Sequence, residues 1–298
     1  MNNIKTTFSI KDLENLSGIK AHTIRIWEKR YNILEPNRTD TNIRLYDTAN
    51  LQKLLNVTLL TNHGYKISKI SQYPVEKIPQ LVSEIVSTKT VKNHAISAFK
   101  MAMMHFDHTL FFSTYDKLLS EKTFREVFYE VFLPLIEEIG ILWQTDTITP
   151  AHEHFISHLI KQKLLINIAT LQIQEPRYND KIFVLFLPEH EIHDLGLMYI
   201  NYEILLQGYQ TIFLGESLPI ENLLALKHSF ENITFVSYFT VEPNPNEVNS
   251  YIKEIKEKVL NDDSKMWVTG RLTAQIESKI LDSKVQVFSN ISELVNQL

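Results

Sequence analysis

Three groups of residues in this chain have types and spacings that can do chemistry. The first is EIHDLG, residues 191–196, which follows the apolar run KIFVLFLP at 181–188 and precedes an amphipathic stretch. A histidine with one acidic residue two positions before it and another directly after it, set between a strand and a helix, can form a ligand-site loop. The same pattern also suits an ordinary polar connection. The second group is Trp143 followed, after nine residues, by Glu153-His154 within PAHEHFISH. It reads either as a tryptophan and a polar pair brought close together at one end of a helical bundle or as a half-buried tryptophan beside surface polar residues. His154 and His158 share one helical face with His152 nearby, but no further ligand completes a metal site there. The third group is cationic: Arg25, Lys29 and Arg30, then Arg38 and Arg44. Guanidinium groups fork onto phosphate oxygens and fix the register of a protein on a polyanion.

These groups need elements to position them, and the composition bounds which ones. The chain has 298 residues, 44% of them hydrophobic, so two or three domains with sizeable cores are expected. Cysteine is absent, which excludes disulfides, thiolate metal sites, iron–sulfur clusters and cysteine nucleophiles together. No apolar run reaches the length of a membrane span and MNNIKTTFS lacks a signal pattern, so a soluble, cytoplasmic protein with no membrane partner is expected. Residues 1–74 hold 11 Lys and Arg against 6 Asp and Glu, a net +5, which leaves the remainder at -10. A basic head on an acidic body is the asymmetry expected when only the head touches DNA.

In that head, Ser9 and Asp12 form a capping box ahead of a helix carrying Leu13, Leu16 and Ile19, and Gly18 breaks it. AHTIRIWEKRY at 21–31 then reads as a second helix after a short turn, the spacing of a helix-turn-helix. Ala21, Ile24 and Trp27 or Tyr31 face inward, and Thr23, Arg25, Lys29 and Arg30 outward. EPNRTDTNIRLYD at 35–47 is a turn-rich ribbon, followed by helices over 47–63 and 66–71. Residues 76–90 are expected to form a linker with a short helix in it. Helical segments over 90–104, 107–119, 121–143 and 149–173, joined by short loops, predict a four-helix bundle packed by Phe99, Met101, Met103, Phe106, Phe111, Phe112, Phe124, Phe128 and Phe132. Thr149 and Pro150 suit the start of its last helix.

From Asp180 onward strands alternate with helices: strands at 181–188, 211–215, 233–239, 266–270 and 285–288, with helices over 194–207, 219–229, 245–260, 272–281 and 290–298. This predicts a flavodoxin-like, doubly wound parallel sheet whose ligand site lies at the strand carboxyl ends, where EIHDLG, GES, SYFT and VTGR arrive. A receiver domain is excluded because the third strand ends in Ser237-Tyr238-Phe239-Thr240 without a phosphoryl-accepting Asp. A dinucleotide fold is excluded because PEHEIHDLG has one glycine, too late.

Over residues 6–73 the order helix, turn, T-I-R-I-W-E, then P-x-R and R-x-Y resembles the winged-helix DNA-binding domain of the MerR family of transcription regulators. The resemblance places Thr23, Arg25, Trp27, Lys29 and Arg30 on the recognition helix and Arg38, Arg44 and Tyr46 in the wing and its flank, where the family contacts phosphates. E-x-H-x-x-G, with a later strand-end serine and a glycine beyond the next strand, resembles the cobalamin-binding domain of methionine synthase and its relatives. That resemblance implies that His193 is the lower ligand of cobalt. Glu191 or Asp194 then polarises its other nitrogen, Gly196 admits the cofactor closely, and Ser237, Thr269 and Gly270 line the slot for the nucleotide tail. The Trp-x9-Glu-His spacing resembles the helical cap of light-sensing, cobalamin-dependent MerR-type repressors, with Trp143, Glu153 and His154 on the upper face. Two departures stand out: Thr269-Gly270-Arg271 replaces a Gly-Gly pair, and Gln144 replaces the histidine that follows the cap tryptophan in light-sensing members.

The expectation is therefore a multidomain α and α/β chain with a winged helix-turn-helix at 1–75, a linker at 76–90, a four-helix cap at 91–176 and a cobalamin-binding α/β domain at 177–298. Its expected function is that of a non-enzymatic repressor binding double-stranded promoter DNA as a dimer or tetramer under the control of cobalamin, in its adenosyl form, held between cap and α/β domain. Two alternatives stay open: a MerR-type regulator that has lost cobalamin and answers to a protein partner, and a corrinoid methyl carrier serving a methyltransferase.

Overall fold

The computed structural model describes residues 7–84, 88–145 and 147–298, and the side chains of 83, 84, 88–92, 144, 227 and 228 are outside the description. The chain divides into two compact units, Met1–Ile160 and Lys161–Leu298.

The first unit opens with β1 (Thr7–Phe8), α1 (Ile10–Ser17), α2 (Ala21–Tyr31), β2 (Asn37–Arg38), β3 (Arg44–Asp47), α3 (Thr48–Asn62) and α4 (Ile67–Ile70). Ser9 and Asp12 make the expected capping box, and the Asp47 side chain accepts from Asn50 to start α3. The three strands form an antiparallel sheet in the order β1-β3-β2, the wing of a winged helix. Leu13, Leu16, Ile24, Leu51 and Leu54 are buried in its core.

The stretch expected as a linker with a short helix in it holds α5 (Lys77–Glu84), which buries Ile78, Leu81 and Val82 and packs on α3. Prolines at 74 and 79 signal a break in the sequence, but the apolar side chains between and after them have a neighbour to bury against. Residues 85–87, also within that stretch, lie outside the description.

The four expected bundle helices are present as α6 (Thr88–His105), α7 (His108–Leu119), a rod made of α8 (Phe124–Val127), a π-helical turn (Phe128–Phe132) and α9 (Leu133–Gln144), and α10 (Pro150–Gln172). The π turn has a cause in the sequence. Pro134 cannot donate to the carbonyl of Glu130 and its ring crowds that carbonyl, so the preceding turn widens and the Leu133 N–H bonds to Phe128 instead. Phe99, Phe111 and Phe132 meet with ring centroids 4.9 to 6.1 Å apart at the centre of the bundle. Of the expected packing residues, Phe106 and Phe112 are only half-buried.

Polar bonds tie the head to the bundle within this unit. The Lys100 ammonium, on α6, donates to the Leu16 carbonyl at the end of α1 (3.1 Å) and pairs with Glu138 on α9. Asn15 donates to the buried Thr147 hydroxyl (2.8 Å), and the His105 ring meets the Thr48 hydroxyl (3.1 Å).

The second unit holds β4 (Tyr178–Pro188), α11 (Leu195–Gln207), β5 (Tyr209–Leu218), α12 (Leu224–Ser229), β6 (Ile233–Tyr238), α13 (Val248–Lys258), β7 (Lys265–Thr269), β8 (Val285–Val287) and α14 (Ile291–Val295). All strand pairs are parallel and the order is β5-β4-β6-β7-β8, the flavodoxin-like arrangement expected. Residues 182–188 of β4 are buried throughout, as a central strand covered on both faces must be.

One expected helix is absent from the described residues. Residues 272–281 form two 3-10 turns, Arg271–Gln275 and Ser278–Ile280, rather than an α-helix. The Asn249 side chain on α13 donates to the Gln275 carbonyl and accepts from the Glu277 N–H, taking two backbone groups that a continuous helix would pair internally.

Candidate functional site

Helix α2 exposes His22, Arg25, Ile26, Lys29 and Arg30, a stripe with the i, i+3, i+4, i+7, i+8 periodicity of one helical face. Ile24 is buried, and Thr23 and Trp27 are half-buried at the stripe's borders. Ile26 is 45% exposed amid the cations, and with His22 it escapes reasoning from residue type alone. Its position in the stripe was the available signal.

In the wing, Arg38 is exposed and donates to the Asn42 side chain (2.6 Å). Arg44 places its Nε 3.0 and 3.1 Å from the two Glu28 oxygens, and Tyr46 donates to the same carboxylate (2.9 Å). Tyr46 is fully buried. Burial, then the adjacent Glu28 charge, pushes its hydroxyl well above the ordinary phenol range. The expected direct phosphate contact by Tyr46 is thus corrected: its hydroxyl holds Glu28, and through it Arg44, so that wing and α2 form one rigid surface.

On the bundle, Trp143 ends α9 with its side chain 54% exposed, in contrast to the buried aromatic core. Glu153 and His154 lie in the first turns of α10, with Glu153 accepting from Ser157 (3.1 Å) and standing 3.4 Å from the His154 ring. His152 is buried, stacks on Phe106 and meets the Thr149 hydroxyl through Nδ1 (2.9 Å), whereas His154 and His158 point to solvent. No grouping of acidic and histidine side chains fit for a metal ion is present among the described residues.

At the carboxyl ends of the α/β sheet, the Glu191 side chain is buried and accepts from donors on two loops. Its Oε1 accepts from the Ile192 N–H (2.9 Å), the His193 N–H (2.9 Å) and His193 Nδ1 (2.5 Å). Its Oε2 accepts from the N–H groups of Thr240, Val241 and Glu242 at 3.3, 2.7 and 2.9 Å. Burial alone pushes this carboxyl up, but the His193 imidazole and these backbone donors outweigh it and hold the group at about 2. Arg271 steadies the same loop from the other side by donating to the Thr240 carbonyl (3.2 Å).

Glu191 rather than Asp194 is therefore the partner of His193. Asp194 accepts from Lys161 (2.5 Å), which also reaches Glu216 (3.3 Å). Burial raises the Asp194 carboxyl and the Lys161 ammonium opposes that rise. Nδ1 is fixed by an ionised, buried acid while the His193 side chain remains 52% exposed. That is the donor arrangement a metal-ligating histidine needs.

The residues beneath are packed. Ser237 is fully buried and donates to the Phe186 carbonyl (2.9 Å), and Thr269 is fully buried and donates to the Phe288 carbonyl (3.0 Å). Gly270 has φ +108 and a Cβ there would stand 2.5 Å from the Phe239 carbonyl oxygen, so its glycine is required by the backbone itself. At Gly196 a Cβ would stand 2.8 Å from the Tyr238 ring.

The winged helix-turn-helix and the flavodoxin-like sheet both have counterparts among known proteins. The family described as MerR HTH family regulatory protein matches residues 8–74, and that described as B12 binding domain matches residues 95–166. Residues 8–74 are thus similar to a MerR-type helix-turn-helix domain and residues 95–166 to a B12-binding domain. The second match falls on the helical bundle and contains Trp143, Glu153 and His154. The chain is 27% identical over 248 residues to the HTH-type transcriptional repressor CarH of Myxococcus xanthus, covering 79% of this chain and 81% of that one. It is 23% identical over 215 residues to the repressor CarA of the same organism, covering 72% and 69%. Among solved structures, the monomethylamine corrinoid protein of Methanosarcina barkeri shares the fold, with a TM-score of 0.56 at 15% identity over 71% of this chain and 98% of that one. No helix among the described residues is long and apolar enough to cross a membrane.

Proposed function

We propose that this chain is a DNA-binding transcriptional repressor whose state is set by cobalamin, with adenosylcobalamin as the effector. The observation that carries the reading is the His193 imidazole, oriented by the buried Glu191 carboxylate, in a chain that carries a MerR-type head. The α2 stripe is suited to the major groove, where Arg25, Lys29 and Arg30 meet phosphates or base edges and Arg38 reaches backbone from the wing. A homo-oligomer, dimer or tetramer, would match a palindromic operator. His193 Nε2 is the donor for cobalt, Glu191 keeps Nδ1 occupied, and Trp143, Glu153 and His154 are the bundle's candidates for contact with the cofactor. Bound adenosylcobalamin would supply a cobalt–carbon bond that light can break.

A second reading is a MerR-type regulator that answers to a protein partner and holds no cobalamin. Ser237 and Thr269, fully buried and bonded to the Phe186 and Phe288 carbonyls, favour it, since their hydroxyls are engaged within the protein. A corrinoid methyl carrier shares the α/β fold, and the helix-turn-helix head argues against it. The deciding experiment is to mix the full chain with adenosylcobalamin in the dark, desalt it, and record its absorption spectrum and its retardation of promoter DNA before and after illumination, beside His193→Ala. Retained corrinoid with an altered spectrum in the variant is expected. Loss of all corrinoid from the wild type overturns the cobalamin reading, and an unchanged variant spectrum removes His193 as the ligand.

A further inference from the structure

Side-chain alternation sorts the residues at the carboxyl ends of the sheet. Ile182, Val184 and Phe186 of β4, Phe235 of β6, and Met266 and Val268 of β7 all enter the core shared with Val248, Ile252 and Ile255 of α13. Because successive strand residues point to opposite faces, Tyr238 and Thr269 belong to the other face, the one that carries α11. They are register partners, side by side at the ends of β6 and β7. Thr269 is fully buried and bonded to Phe288. The Tyr238 ring lies flush on α11 at Gly196, with Cε2 and Cζ at 2.8 and 2.9 Å from where a Cβ would be. Gly196 stands three positions after His193, in the first turn of α11. Between α11 and the strand ends, three positions after the imidazole, the Tyr238 ring therefore covers Gly196.

This placement matters for what the site admits. A corrinoid whose cobalt is bound by His193 presents to the protein the face that also carries cobalamin's nucleotide tail. With the histidine on the metal, the tail has to go elsewhere on that side. Gly196 lies three positions after the ligand, and there the ring would have to leave before anything entered.

We propose that Tyr238 is a gate that sets corrinoid specificity: ligands without a nucleotide tail bind with the ring in place, and complete cobalamin binds only after the ring swings away from Gly196. The proposal rests on the cobalamin reading. It gives Tyr238 a part in admitting the ligand, separate from the ligation assigned to His193.

The test uses the full chain with two probes, aquocobalamin and aquocobinamide, the second lacking the nucleotide tail. Association is followed by the corrinoid absorbance change, and retention is measured after desalting. In the wild type, cobinamide is expected to associate at least about tenfold faster than cobalamin, since displacing a half-buried ring from its packing adds a barrier of that order. Tyr238→Ala is expected to speed cobalamin by about tenfold or more while changing cobinamide by roughly twofold or less. Tyr238→Phe, which keeps the ring and guards against a mere packing defect, is expected to follow the wild type for both probes. Equal acceleration of both probes by Tyr238→Ala, or an alanine-like response from Tyr238→Phe, overturns the gate and leaves cobalamin binding intact. If neither wild type nor Tyr238→Ala retains either corrinoid, the gate and the cobalamin reading fall together.

Discussion

Glu191 is where the chemistry of a few atoms organises the α/β site. Its carboxylate joins the β4–α11 loop to the loop after β6, and its hydrogen bonds leave it ionised at about 2 although it is buried. The folded value lies below the ordinary 4.5, so its contribution to stability is complete above about pH 4.5 and is lost as the pH falls through about 2. Glu191→Gln is expected to destabilise the C-terminal unit by on the order of 3 kcal/mol at neutral pH and to flatten the rise of stability across that window. Urea unfolding of both proteins from pH 2 to 7 measures this, and parallel pH profiles would refute the assignment. The spacing of Glu191 and His193 made their pairing legible in the sequence. The choice between Glu191 and Asp194 was not, because it depends on Lys161, a residue on α10 whose reach no local pattern encodes. Tyr46 was misplaced for a related reason: R-x-Y shows a wing, but only the fold shows that one residue of it turns inward to Glu28.

Among elements, α1 is held from outside its own domain. An α-helix leaves its last carbonyls unpaired, and Lys100 supplies a charged donor to one of them while anchored by Glu138. Lys100→Met keeps the apolar stem and removes the donor. Amide exchange over residues 13–18 is expected to quicken by roughly tenfold, the equivalent of one charged hydrogen bond, with α2 less affected. Unaltered protection in α1 would show that the bond carries no weight. Apolar periodicity located the bundle helices and the strand order, since both follow from short-range patterns and short connections. The 3-10 turns at 271–280 escaped it because Asn249 intervenes from another helix, and for the short helix expected within 76–90 no local pattern names α3 as the partner that Ile78, Leu81 and Val82 bury against.

Across the whole molecule, charge and topology act over longer distances. The net +5 over residues 1–74 makes DNA association salt-dependent. Arg25→Ala or Arg38→Ala is expected to lower the slope of log affinity against log salt by about 0.9 for each phosphate left without its cation, whereas Tyr46→Phe should leave that slope unaltered. Fluorescence anisotropy with one labelled duplex over a salt series checks this, and an unaltered slope in both arginine variants would place the phosphate-binding cations elsewhere. The position of β4 acts in time rather than in space. It is the first strand of its sheet to leave the ribosome and sits second in the strand order, between β5 and β6. Its apolar run ends at Pro188, whereas its partner β6 is complete only at Tyr238. At roughly 5–20 residues per second that interval lasts about 3–10 seconds, during which one edge of KIFVLFLP has no strand beside it. The yield of folded protein is therefore decided by how well that one segment is shielded during synthesis, and a slower passage through codons 189–238 should raise the aggregated fraction without altering the stability of the finished molecule.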